Sequence, residues 1–260
     1  MNRQLPLADT GRVVVTLAIV VFACAAASVV AEERAFVALG LQVLAVEFAA
    51  GNLAVSWASA YRPVAGLRDV SAYLARGAAL ALGPVALSGL VAMGVGAKLE
   101  VERIYGWGAM VGVVEIALAA ARDEILLRGL LRRGFSALLP RLGYTFLAAI
   151  AAAAWSFGLG ETSLAVIARE AALALVAVEL WRLDDGAVSA IGFQLGFRFL
   201  EAPFGGNGAQ APVLLAETAA LALTAAVLAR REEPSDLLEG RARAAGGRSG
   251  LVSPRAPGEN

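Results

Sequence analysis

The 260-residue chain contains no histidine, a single cysteine and a single lysine. Each shortage excludes something. Without histidine there is no imidazole to take and return a proton near neutral pH. With no histidine and only Cys24, the usual nitrogen and sulfur ligands of a zinc site are missing and an intrachain disulfide cannot form. No metal or other cofactor is expected. Charged residues make up only 17% of the chain and sum to zero net charge, so the bulk balance gives no argument for nucleic acid as a partner. Lys98 stands alone among 22 basic residues, and with the abundance of alanine this suggests a GC-rich coding bias.

What the chain has in excess is apolar sequence. Hydrophobic residues reach 59% and fall in long blocks of Ala, Leu and Val, against ~45–50% in a soluble domain. A soluble core cannot hide that much apolar surface, whereas a bilayer can. A spanning helix needs about 20 mainly apolar residues at ~1.5 Å each. Eight candidate spans follow, near 12–31, 35–58, 73–96, 105–133, 142–160, 163–181, 186–201 and 211–229. The seventh is short and reads as tilted, re-entrant or broken. The expected fold class is therefore all-α: a polytopic helical bundle over residues 1–229, with a disordered tail over 230–260 rich in Arg, Gly, Pro and Glu.

Basic residues set the orientation. With the N-terminus in the cytoplasm, the inner side collects Arg3, Arg12, Arg62, Arg68, Arg76, Arg122, Arg128, Arg132, Arg133, Arg141, Arg182 and the six arginines of the tail. The outer side collects only Arg34, Lys98 and Arg103. This asymmetry follows the positive-inside rule and places both termini in the cytoplasm, with a bacterial inner membrane as the expected location. The first segment has a rival reading as a signal peptide, but its apolar stretch, Val13 to Ala31, is longer than the usual core of about 7–15 residues.

Polar groups inside the spans carry the functional signal. Gln42, Glu47, Glu115, Arg169, Glu170, Glu179 and Glu217 read as interhelical hydrogen-bonding groups, with a snorkelling or interfacial position as the alternative for Glu179 and Glu217. The run Asp123-Glu124-Ile125-Leu126-Leu127-Arg128 is different. Charges at membrane depth cost roughly 2.5–3.5 kcal/mol each on insertion scales. Glu124 and Arg128 share a helix face and form an expected structural ion pair. Asp123 lies about 100° away around the helix and must face something else, a water in the bundle interior being one candidate. A desolvated carboxylate in such a place suits general-base work.

This run resembles the first motif, Glu-Glu-x-x-x-Arg, of the CPBP family of intramembrane proteases, which includes CAAX prenyl endopeptidases and Abi-type bacteriocin-processing or self-immunity proteins. Phe157-Gly158-Leu159-Gly160-Glu161 resembles the family's Phe-x-x-x-His, with Glu161 in place of the histidine. Ala190-Ile191-Gly192-Phe193-Gln194-Leu195-Gly196-Phe197-Arg198-Phe199 resembles the later His-x-x-x-Asn segment, with Gln194 for His and Arg198 for Asn. The likeness covers roughly residues 108–200 and implies a CPBP-like core there.

The resemblance implies a protein that handles membrane-embedded or lipid-anchored peptides, with catalytic candidates Asp123, Glu124, Glu161, Gln194 and Arg198 and the motif aromatic Phe157. Asp123 and Glu161 could share a proton as a carboxylate pair. Gln194 and Arg198 could steady an oxyanion. Such an intramembrane peptidase would work without histidine. Two further expectations stand beside it: a catalytically inactive pseudo-protease that binds membrane peptides or proteins in a scaffold or immunity role, and a small transporter component. The two readings that follow from the resemblance place the site in a wet hollow beneath the cytosolic leaflet.

Overall fold

A computed structural model describes residues 7–30, 35–52, 67–97, 107–135, 139–184, 186–204 and 210–231. Among the described residues the regular structure is all helical, with no strand. Helix α1 spans Leu7–Val30, α2 Ala35–Asn52, α3 Leu67–Gly94 and α4 Trp107–Glu124. A π-helical turn, Ile125–Leu130, continues α4 into the short α5, Leu131–Phe135. Then follow α6 (Arg141–Gly158), α7 (Leu164–Asp184), α8 (Val188–Glu201), a 3-10 turn at Ala202–Phe204, and α9 (Ala211–Ala229). Three of these helices are long and apolar enough to cross a membrane: α1, α3 and α9. The helix α2 is apolar but shorter.

The long helix α7 is less apolar for a physical reason. Helix α7 carries Arg169, Glu170, Glu179, Arg182 and Asp184, yet it is buried on most sides and its charges meet partners inside the bundle. An inner helix does not need an apolar surface. The outer helices do: Phe22, Phe48, Phe146 and Leu223 all lie largely exposed, an arrangement that suits lipid rather than water. As the sequence predicts, the seventh segment is short. The 14 residues of α8 extend only ~21 Å, less than a ~30 Å hydrocarbon core.

Two apolar clusters hold the bundle. One joins α3, α7, α8 and α9 through Ala81, Val176, Leu180, Phe193, Phe197 and Leu221. The other joins α1, α2, the π turn and α6 through Val20, Cys24, Val46, Leu126, Leu130 and Ala152. Within the first, α3 and α8 approach at backbone distance. A Cβ on Gly77 would lie 2.0 Å from the Ser189 carbonyl oxygen, one on Gly192 would lie 2.3 Å from that of Leu74, and one on Gly196 would lie 2.8 Å from the Ala78 Cα. Gly192 and Gly196 are spaced as the small-xxx-small pattern of close membrane helix pairs.

Arginine contacts tie several helix ends together. The Arg12 guanidinium donates to the Asn52 carbonyl (2.9 Å), and Arg76 pairs with Asp184 (2.6 Å). Arg141 meets Glu179 (3.0 Å) and the Ala229 carbonyl (2.9 Å). Arg182 meets Glu179 and the carbonyls of Leu228 and Arg231. The start of α1 thus lies by the end of α2, and the start of α6 by the ends of α7 and α9.

Arg122 and Arg128 are both buried, each against a buried carboxylate. Glu217 follows the interhelical reading rather than the snorkelling alternative: it is buried and meets Arg169 of α7. The end of the second candidate span, 53–58, and the tail from 232 lie outside the described residues.

Candidate functional site

The first motif sits where α4 changes into the π turn. Glu124 is wholly buried and accepts three donors. The Arg128 guanidinium reaches it at 3.1 Å, the Trp181 indole N–H at 2.5 Å, and the Gln194 amide also donates to it. These partners come from the π turn, α7 and α8, so one carboxylate ties three elements together. A buried ion pair is tolerable only when further hydrogen bonds satisfy its remaining lone pairs, and Trp181 and Gln194 supply them. The π turn also leaves the Arg128 carbonyl able to accept the Tyr144 hydroxyl at 3.1 Å, which fixes α6 against it. Single π turns inside α-helices are frequent at functional sites.

Asp123, on the neighbouring face, points elsewhere, as the 100° helical step requires. Its partner is Arg122, whose Nε and terminal nitrogen both lie 2.7 Å from Oδ1. Arg122 in turn donates to the Gln42 side-chain oxygen and lies over the Trp155 ring, 5.2 Å from its centroid. Gln42 bonds Ser28 Oγ (2.7 Å) and the Cys24 carbonyl (3.3 Å). The chain of contacts runs from α1 through α2 and α4 to α6.

Asp123 lines a cavity of about 340 Å³ set among α4, α6, α7, α8 and the α6–α7 turn. Glu161, Gln194 and Arg198 line the same cavity, joined by Arg122, Arg128, Trp155, Ser156 and Glu170. Four of the five catalytic candidates read from the sequence therefore share one hollow. Glu124 is not on its wall. Phe157 is two-thirds exposed and faces away from it.

Each of the four is already engaged. Asp123 has Arg122, and Gln194 has Glu124. Arg198 pairs with Glu170 at 2.6 Å. Glu161 accepts the Ser163 backbone N–H at 2.8 Å, at the start of α7, where Ser163 Oγ accepts from Val166 N–H (3.4 Å). That is helix-capping geometry. Gly160, with φ of +92°, makes the turn that brings Glu161 back towards the cavity. The turn is at the far end of α6 from Arg141, so the hollow reaches away from the arginine-rich end rather than lying beneath it.

Behind the cavity, Glu170 continues into a second charged cluster. The buried Arg169 contacts Glu170 (2.9 Å), Glu201 (3.0 Å) and Glu217 (3.5 Å). Helices α7, α8 and α9 are thereby pinned at one point. Sequence reasoning did not foresee the roles of Arg122, Trp155 and Trp181, whereas Glu170 bonds between helices as read, to Arg198. Arg122 carried a signal, since it adjoins Asp123; Trp181 carried none, being 57 positions from Glu124.

Among the described residues, no group of three or more potential metal-ligating side chains is gathered together. Chemically, the cavity wall carries three arginines and three carboxylates: Arg122 pairs with Asp123 and Arg198 with Glu170 on it, Arg128 pairs with Glu124 behind it, and Glu161 meets the Ser163 N–H. No protein-family model, curated protein or solved structure matches this chain, so the resemblance to CPBP proteins rests on the three motifs alone.

Proposed function

We propose that this is a polytopic membrane protein with a CPBP-like core, eight membrane segments and both termini in the cytoplasm of a bacterial inner membrane. In this reading it holds a membrane-embedded or lipid-anchored peptide in the polar cavity and does not cut it. The observation that carries the proposal is the engagement of every polar candidate on the cavity wall: Asp123 by Arg122, Glu161 by Ser163, Gln194 by Glu124 and Arg198 by Glu170. General-base work needs a carboxylate within hydrogen-bond reach of a water it can deprotonate, and oxyanion stabilisation needs a donor free to turn towards developing charge. With each candidate group already partnered, the wall suits recognition of a polar peptide segment better than turnover.

A second reading is favoured by one specific observation: Asp123 and Glu161 line the same cavity. If the second oxygen of each takes part, the two carboxylates could serve as base and acid in amide hydrolysis.

The two readings separate in one experiment. The protein is expressed with its natural membrane proteome as wild type, Asp123→Ala and Glu161→Ala, and membrane-protein fragments are followed by mass spectrometry. The binding reading predicts one fragment pattern in all three. Fragments present with wild type and lost in both variants, at equal membrane abundance, would establish the peptidase.

A further inference from the structure

The charges that meet behind the polar cavity do not balance. Helix α7 contributes Arg169 and Glu170, α8 contributes Arg198 and Glu201, and α9 contributes Glu217. Glu170 accepts from Arg169 at one oxygen (2.9 Å) and from Arg198 at the other (2.6 Å). A single Arg169 nitrogen, Nη1, then faces both Glu201 (3.0 Å) and Glu217 (3.5 Å). Three carboxylates thus share two guanidinium groups.

Among the described residues, the surrounding helices add no positive charge to this cluster. Helix α3 faces Glu217 with Ser88, a buried neutral hydroxyl. The charges of α3 itself, Arg68, Asp69 and Arg76, lie about three turns or more away, with Arg76 held by Asp184. On α4, Arg122 is taken by Asp123, and Glu115 and Glu124 are negative. The one charged residue of α6, Arg141, is at the far end with Glu179, and Glu161, just ahead of α7, is negative. Further along α7, Glu179, Arg182 and Asp184 begin ~15 Å from Arg169.

Arg169, Glu201 and Glu217 are all buried. An uncompensated carboxylate in such surroundings takes up a proton rather than stay charged. A metal ion would need several more oxygen ligands, and both oxygens of Glu170 are already bonded. Two carboxylates converging on one site are the arrangement in which a single proton serves a pair.

We infer that Glu201 and Glu217 together bind one proton beside Arg169 and release it to water as the pH rises. The path to water is short. Arg169 lies five residues into α7 and Glu217 six residues into α9, ~7–9 Å from those helix ends. Glu170 joins this site to the cavity wall. The inference is independent of what the cavity holds and of whether the protein cuts peptides.

The test is infrared spectroscopy of the full-length protein in nanodiscs, following the C=O stretch of protonated carboxyl groups from neutral to alkaline pH. In wild type the band should fall by the intensity of one carboxyl group. Glu201→Gln and Glu217→Gln each keep an acceptor oxygen and leave two carboxylates for two guanidinium groups. Each variant should therefore lack the one-group fall. A purely structural ion cluster, with every carboxylate ionised throughout, would show no such band to lose. The inference is overturned if wild type has no protonated carboxyl at neutral pH, if its band does not fall, or if either folded variant shows the same fall. Failure of both variants to fold would also overturn it, because neither substitution strands a charge.

Discussion

Replacing Arg169 by alanine is expected to strip the protein from the membrane fraction or to lower its melting temperature by many degrees. Arg169 is fully buried and is the ion-pair partner of both Glu201 and Glu217. Glu170 keeps Arg198 in the variant, but the other two carboxylates lose their cation. Removing one partner of a buried pair costs about 3–5 kcal/mol, because the remaining charge is left uncompensated. Stranding two such groups approaches the whole stability of a typical domain, ~5–15 kcal/mol. The cost lies in the stranded charge rather than in the lost contact, so it should be largely reversible. Arg169→Met combined with Glu201→Gln and Glu217→Gln should restore accumulation and most of the melting temperature, measured in the same detergent. A single Arg169→Ala variant that melts like wild type would show that the cluster carries no such load.

The second large effect belongs to the glycines between α3 and α8. In Gly192→Ala the new methyl group would start 2.3 Å from the Leu74 carbonyl oxygen and 2.7 Å from its Cα. Those are backbone atoms, which cannot rotate away as a side chain would. The helices must separate or slide, and overpacking of this kind costs at least ~1–3 kcal/mol. Because α8 also carries Gln194 and Arg198, the shift should draw Gln194 from Glu124 and Arg198 from Glu170. Gly77→Ala should behave alike, its methyl being 2.0 Å from the Ser189 carbonyl oxygen. The helical positions Gly40, Gly83 and Gly112 have open space around a new Cβ and serve as controls. Alanine there should be neutral or stabilising, by up to ~1 kcal/mol. Thermal melting of the set checks the ranking; equal melting of Gly192→Ala and Gly112→Ala would contradict the close approach.

These two predictions mark where the sequence was legible and where it was not. The Glu124–Arg128 pair could be read from a four-residue spacing, since one helix turn brings those side chains together whatever surrounds them. The short α8 was legible from the length of its apolar run. The meeting of Asp123, Glu161, Gln194 and Arg198 on one cavity came only through the resemblance; nothing local in the residues demands it. The partner of Asp123 was hidden because adjacent residues on a helix diverge by about 100°, and only the length of an arginine side chain lets Arg122 fold back onto it. Arg169 was read as helix glue, and it is, but its gathering of Glu201 and Glu217 depends on the packing of α7, α8 and α9. The contact of Gly77 with α8 needs the three-dimensional register of two helices more than a hundred positions apart in the chain, although the Gly192–Gly196 spacing signals half of it. Of the eight candidate spans, three form helices long and apolar enough to cross a membrane; α2 and α8 are shorter, and α7 keeps paired charges inside the bundle.

The account stands on a polar, water-accessible hollow enclosed by helices whose outer faces are apolar. Ser156 lies on its wall, whereas the single native cysteine, Cys24, is buried in the apolar cluster of α1 and α2. The most direct test is therefore the labelling of Ser156→Cys in native membranes by a small hydrophilic thiosulfonate reagent. The account predicts rapid modification of Cys at position 156, with Cys24 unmodified in the same molecule. A folded variant in which both thiols stay equally inert would contradict it.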